Sequence, residues 1–362
     1  LASLGSPILA AINLGALFYI YTYYWTFFLA LYVIYVFLNY FYLKNKKEGS
    51  NFLLVIAGGV SIGSVYFWQN LQALKLPYYA ESLARLGMIE SHFPSGLNIV
   101  FFGLILIILF IFCLRLNIVP KDKKSVLMFS GLLASIVSVN QHIITGKNLE
   151  FSSHYQMIAF FWFVFVSLFL LGHLDKKYIF TSDVKKYSSI IAMLFFSIFA
   201  SINTYNYVSA FSYLSETSIN NQRYAPVLEW LRFNTKKDSV VFARDNLNGL
   251  IPVYTSNNTL FNGPGNLNFM STDEVIDRFL IYHYFEPNLD EQFVRNHERD
   301  IWRVYYIDRN AHNQKKLGVC YVLKISCRVE ERLPIEKVED VLSKRELMSK
   351  TPFLQLLKKY HT

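Results

Sequence analysis

The chain has 362 residues, of which 53% are hydrophobic, 17% aromatic and only 17% charged, with a formal net charge of +9. Soluble domains carry about 25% charged residues, so this composition argues against a wholly soluble enzyme. It also excludes a disordered chain and, with three Cys, a disulfide-stapled secreted scaffold.

The charge is unevenly spread. Residues 1–212 hold 14 Lys and Arg against 7 Asp and Glu, while residues 213–362 hold 21 against 19. The first part reads as membrane-embedded and the second as water-facing. Leu1 opens inside an apolar run without a basic leader or a small-residue cleavage site, so no signal peptide is read. Pro352 to Tyr360 reads as a helix with no strand after it, and the chain is taken as an internal piece of a longer protein.

A spanning helix needs about 20 apolar residues. Leu1–Leu43 is too long for one and divides at Tyr21-Thr-Tyr-Tyr-Trp25, an aromatic cluster suited to a bilayer interface. Spans are expected near 3–21, 24–43, 52–69, 97–118, 126–144, 155–173 and 188–208, seven in all. The loops around 44–50, 115–124 and 174–187 carry eleven Lys and Arg, the opposite loops only Lys75, Arg85 and Lys147. By the positive-inside rule the basic loops are cytoplasmic and everything after about residue 210 lies outside. Topology therefore accounts for the net charge, and no basic-aromatic stripe suggests nucleic acid. No Asp or Glu sits mid-span, which argues against an ion-driven carrier.

From about residue 224 the pattern becomes that of an α/β domain. A helix starts near Pro226 and ends at Asn234-Thr-Lys-Lys-Asp238; strands are expected at 239–243, 259–261, 304–307 and 319–325. Ser271-x-x-Glu274 opens a helix to Tyr284 as a capping box. The expected fold is thus a polytopic helical membrane domain over 1–210 followed by an extracytoplasmic α/β domain over 211–362. Cys320 and Cys327 can pair outside the cytoplasm only if the chain reverses tightly between them, and buried free thiols are the default.

The chemistry-bearing stretches are few. Asn140-Gln-His-Ile-Ile-Thr-Gly146, Lys147 and His154-Tyr155 join two spans on the outer side. Amide, hydroxyl and imidazole groups at an apolar boundary need partners, at about 1–3 kcal/mol for each one left without. They form either a polar pocket for a headgroup, phosphate or sugar, or an interfacial loop satisfied by its own bonds, water and lipid. In the other outer loop, residues 79–86 read as an amphipathic surface helix, and His92 reads as a solvated side chain in preference to a base or a ligand. Gly263-Pro-Gly265 reads as a turn, not a phosphate loop, because Pro264 removes a backbone donor. Asp273-Glu274 is accounted for by the cap, and His283 with Glu286 lacks further metal ligands at fitting spacing. No cofactor is identified, and a divalent metal is left open.

Asn140-Gln-His-Ile-Ile-Thr-Gly146 with His154-Tyr155, then Trp230-Leu-x-x-Asn234-Thr, Asp238-Ser-Val-Val241 and Leu250-Ile-Pro-Val-Tyr-Thr255 together resemble bacterial polytopic membrane glycosyltransferases of the GT-C type. That resemblance implies transfer of a sugar from a polyprenyl-phosphate donor to a glycan or protein acceptor at the outer face of the cell membrane. In such proteins the catalytic acidic residue sits in a first outer loop that this chain does not contain, so no catalytic residue is assigned. Asn140, Gln141, Thr145, Gly146, Lys147, His154 and Tyr155 are the expected donor-binding residues. The competing expectation is a non-catalytic membrane protein whose outer domain binds a glycan, lipid or protein partner.

Overall fold

The computed structural model describes residues 2–87, 92, 94–149, 152–178, 201, 204–211, 215–263, 269–328 and 332–359. Contacts divide the chain into two compact units. The first comprises 1–76, 88–180 and 314–327, the second 77–87, 181–313 and 328–362.

The first unit is a helical membrane-type bundle. Helices α1 (Ala2–Leu17), α2 (Thr22–Phe41), α3 (Lys46–Ile62), α4 (Ser64–Ala73), α6 (Leu97–Arg115), α7 (Lys123–Val139), α8 (His142–Thr145) and α9 (Ser152–Tyr178) belong to it; α5 (Tyr79–Arg85) belongs to the second unit. α1 packs on α3, α2 on α3 and α7, and α7 on α6 and α9. The break between α1 and α2 falls at 18–21, just before the aromatic cluster proper.

Among the described residues, three helices are long and apolar enough to cross a membrane: Thr22–Phe41, Leu97–Arg115 and the stretch His154–Asp175. A fourth span forms if α3 and α4, bent by 47° at their junction, count as one. Thus three or four of the seven expected spans are found among the described residues. α1 stops at Leu17, and α7 stops at Val139, which leaves Asn140 and Gln141 outside it. Most of the 188–208 stretch, with the basic loop at 185–186, lies outside the described residues.

α7 shows how a serine-rich helix is made compatible with burial. Ser130, Ser135 and Ser138 are buried, and each hydroxyl donates to the carbonyl four residues earlier, at 2.7, 2.8 and 2.7 Å. Left unpaired, each would cost about 1–3 kcal/mol. On the face it shares with Ser135 and Ser138, Gly131 lets the helix meet Trp162 of α9 so closely that a Cβ would collide with the indole. That ring is fixed, because its N–H donates to the Met128 carbonyl at 3.0 Å. Gly59 of α3 gives Leu14 of α1 similar access, with Leu14 side-chain atoms 2.7 Å from where a Cβ would stand.

In the second unit the elements after residue 222 are α10 (Ala225–Asn234), β1 (Val240–Val241), α11 (Asp245–Tyr254), β2 (Asn258–Thr259), α12 (Thr272–Tyr282), α13 (Glu291–Asn296), α14 (Glu298–Ile301), α15 (Tyr305–Leu323, whose end belongs to the first unit), α16 (Ile335–Ser349) and α17 (Phe353–Lys358). Its core gathers Phe261, Val275, Phe279, Val294, Trp302 and Val338. Strand structure among the described residues is one parallel pair, Val240 with Asn258 and Val241 with Thr259. The strands expected at 304–307 and 319–325 are instead the two ends of α15. Between these apolar runs lie Arg309, Ala311, Gln314, Lys315, Lys316 and Leu317, all good helix formers, so the helix propagates through both.

That helix also settles the cysteines. Cys320 in its last turns is joined by a disulfide to Cys327, with Cα atoms 6.2 Å apart, contrary to the default of free thiols. The required reversal is supplied by Lys324, in the left-handed conformation at φ 53°, with Ile325 N–H donating to the Cys320 carbonyl at 3.0 Å.

The α7–α9 contact generates a direct expectation. Gly→Ala in a helix interior ordinarily gains about 1 kcal/mol. Gly131→Ala should instead destabilise the bundle by about 1–3 kcal/mol, because the fixed Trp162 ring has to move. A lowered thermal midpoint of the detergent-solubilised protein checks this, and the Gly131→Ala/Trp162→Leu pair should recover much of the loss.

Candidate functional site

The helix ends of the first unit sort into two sets. At one end lie the basic stretches at 44–47 and 115–124: Lys123, at the start of α7, is ion-paired with Glu48 in the first turn of α3. At the other end lie His92, residues 94–96 and 140–147 and the aromatic start of α2, which hold most of the expected site.

α7 ends where Asn140 takes over its own backbone's partners. The Asn140 amide donates to the Ile136 carbonyl at 3.1 Å, while its Oδ1 accepts from Ser95 N–H at 2.9 Å. Ser95 Oγ in turn donates to the Val139 carbonyl at 3.2 Å. The next turn is α8, closed by Gly146 at φ 75°, whose N–H donates to the His142 carbonyl at 2.8 Å. Only glycine adopts that conformation freely. Thr145 Oγ1 lies 3.0 Å from both Gln141 Oε1 and the Lys147 carbonyl.

Sequence reasoning did not connect His92 to this turn. Its Nδ1 donates to the Ile143 carbonyl at 2.9 Å, and its ring lies so near Gly146 that a Cβ there would sit 3.3–3.4 Å from Cε1 and Nε2. The contact spans 51 residues, so no local pattern carries it. His142, inside the turn, is 1% exposed and belongs to the packed interior.

Asn140, Gln141, Thr145, Gly146 and Lys147 therefore occupy one turn. His154 stands against Tyr21 and Tyr23, with ring centroids 5.8 and 5.7 Å apart. Tyr155 is 2% exposed, and its hydroxyl lies 3.0 Å from Thr26 Oγ1, so it packs α9 on α2. The seven residues thus form a polar turn, an aromatic-flanked imidazole and a core contact. The turn offers amide, hydroxyl and imidazole groups and one exposed ammonium, Lys147, a donor set suited to a phosphate or to sugar hydroxyls. None of these residues is a carboxylate.

In the second unit α5 does not present itself as a free surface helix. Arg85, 2% exposed, donates to the Met270 carbonyl at 2.6 Å, Thr272 Oγ1 at 3.1 Å and Ser82 Oγ at 3.2 Å. Glu81 accepts from the Thr272 N–H at 2.6 Å, at the positive end of α12. Ser271 caps the same helix, accepting from Glu274 N–H at 3.0 Å. The reciprocal half of the capping box gives way to a stronger bond, because Glu274 accepts from Arg278 at 2.8 Å. Asp273 pairs with Lys344 at 2.7 Å. Pro264 and Gly265 of the expected turn lie outside the described residues.

A cavity of about 460 Å³ lies against α10, lined by Asn221, Gln222, Glu229, Arg232, Phe233 and Tyr254 among others. His283 does not face Glu286 as a metal pair. Its ring packs among Phe279, Phe293 and His297, at 4.6, 5.1 and 5.2 Å between centroids. No group of three or more His, Cys, Asp or Glu able to hold a metal occurs among the described residues. Burial pushes the Asp300 carboxyl up, against the pull of His297 and Arg303.

No family model, no curated protein and no solved structure matches the chain.

Burial, then His297 and Arg244, push His283 down to about 4 from an ordinary 6.5. The folded imidazole is then neutral where the unfolded one is protonated, so its stabilisation is complete above about 6.5 and is lost as pH falls towards 4. His283→Phe should remove this dependence. Thermal unfolding followed from pH 7 to 4 should show the parent losing midpoint faster than the variant below about pH 6.5.

Proposed function

We propose that the chain is the membrane and outer-domain portion of a bacterial GT-C-type glycosyltransferase, and that its polar turn binds and orients a polyprenyl-phosphate-linked sugar donor. In this reading seven spans place the residues after about 210 outside the cytoplasm, and the acceptor is a glycan or protein. The observation that carries it is the turn at 140–147 with His92 beside it, which gathers amide, hydroxyl, imidazole and ammonium groups at the helix ends away from the basic stretches 44–47 and 115–124. Tyr21, Tyr23 and His154 add ring faces on which a sugar can stack. This chain's role is positioning: Lys147 attracts the phosphate over a distance, Thr145 and the amides fix its orientation, and a ring N–H of His154 donates to it.

A second reading is favoured by the cavity against α10. There exposed Phe233 and Tyr254 stand beside amide and charged groups, a composition that suits a carbohydrate ligand. On this reading the protein recognises a glycan without transferring it.

Gln141→Ala and His154→Ala should each weaken binding of undecaprenyl phosphate by about tenfold, the worth of one charge-assisted hydrogen bond, and reduce transfer in the intact membrane protein. Native mass spectrometry of the inserted, folded variants measures it. Unchanged affinity in both overturns the donor site. Glycan binding that survives them but fails in Phe233→Ala assigns the ligand to the cavity of the second unit instead.

A further inference from the structure

The basic-loop end of the first unit carries a site of its own. A cavity of about 320 Å³ runs between α2, α6 and α7, walled by Leu38, Phe110, Ile111, Leu114, Val126 and Phe129. Arg115, Lys121 and Ser125 complete its lining. α6 is the most apolar of the spans, with mean hydropathy 3.1, and Ile111 is exposed on it beside Ile108 and Phe112. The groove is therefore continuous with a surface made for hydrocarbon.

Three observations point to a ligand here. Arg115 and Lys121 are exposed and have no carboxylate partner among the described residues, whereas the neighbouring Lys123 is neutralised by Glu48. Ser125 is 2% exposed, and its hydroxyl has no hydrogen-bond partner. The other buried serines of α7 bond back four residues. Ser125 stands in the first turn, where the carbonyl four residues back belongs to Lys121, before the helix begins. The α7 N-terminus adds partial positive charge, although Asp122 already accepts the Ser125 N–H at 2.9 Å and sets one negative charge nearby.

We propose that this groove holds an anionic phospholipid, with its phosphate between Arg115, Lys121 and the Ser125 hydroxyl and one acyl chain along the apolar wall. Two unpaired cations at a span's end favour an anionic headgroup over a zwitterionic one, and an apolar trough of this size favours a chain-bearing ligand over free phosphate. The site is independent of the donor-binding reading, since it shares no residue with the turn at 140–147.

The test uses the whole protein in phosphatidylcholine nanodiscs with a trace of photoactivatable phosphatidylglycerol carrying its diazirine in the acyl chain. Cross-links should map to Phe110–Leu114 and Val126–Phe129. Unlabelled phosphatidylglycerol should displace the probe at about tenfold lower concentration than added phosphatidylcholine. Arg115→Gln/Lys121→Gln should abolish that preference. Val126→Trp, which fills the groove and keeps both charges, should reduce the cross-linking at least fivefold. Equal displacement by the two lipids in the unaltered protein overturns the proposal, as do cross-links confined to other helices or a preference that persists in Val126→Trp. The unaltered protein decides the matter even if the double variant fails to insert.

Discussion

Hydrocarbon accepts a polypeptide only when the polar groups buried in it find partners within the protein, and the first unit is organised around that constraint. Its longest apolar segments are helices, which pair their own backbone. The buried hydroxyls of Ser130, Ser135 and Ser138 are closed on the same helix and that of Thr26 meets Tyr155 across helices, while Ser125 at the groove is the exception. With little hydrophobic force between helices in lipid, close packing has to hold them together. Gly59 against Leu14 and Gly131 against Trp162 provide it.

The same constraint drives polar chemistry to the helix ends, and the two ends differ. One is cationic, with Lys123 paired to Glu48 and a groove whose Arg115 and Lys121 have no carboxylate partner among the described residues. The other is built of amides, hydroxyls and rings held in place by bonds that reach 45 and 51 residues along the chain. The second unit follows ordinary globular rules, with an aromatic and aliphatic core and a buried guanidinium satisfied by a carbonyl and two hydroxyls.

How much of this was legible in the sequence depends on the range of the interaction involved. Apolar runs of spanning length are local, and α2, α6 and α9 fall where composition puts them. So does the Ser271 cap. What fails is the reading of short apolar runs: those at 304–307 and 319–325 are equally compatible with strand and helix, and only the helix-forming residues between them decide. Long-range partners were out of reach. Nothing near Asn140 announces Ser95, nothing near Arg85 announces Met270, and nothing near Tyr155 announces that its hydroxyl meets Thr26 in the core instead of a donor. The polar turn was found because amides and hydroxyls stand out at an apolar boundary; its closure by His92 was not.

The proposed reading rests on the basic and the polar helix ends of the first unit facing opposite sides of a membrane, with the apolar helix α6 (Leu97–Arg115) crossing between them. Single cysteines placed at the exposed positions Lys121 and Lys147, in a Cys113→Ser background, report on it through a membrane-impermeant maleimide applied to sealed vesicles. The account predicts that only one of the two labels from a given side, and that the other labels only after the vesicles are opened. Labelling of both positions from the same side, or recovery of the protein in the soluble fraction, would contradict it.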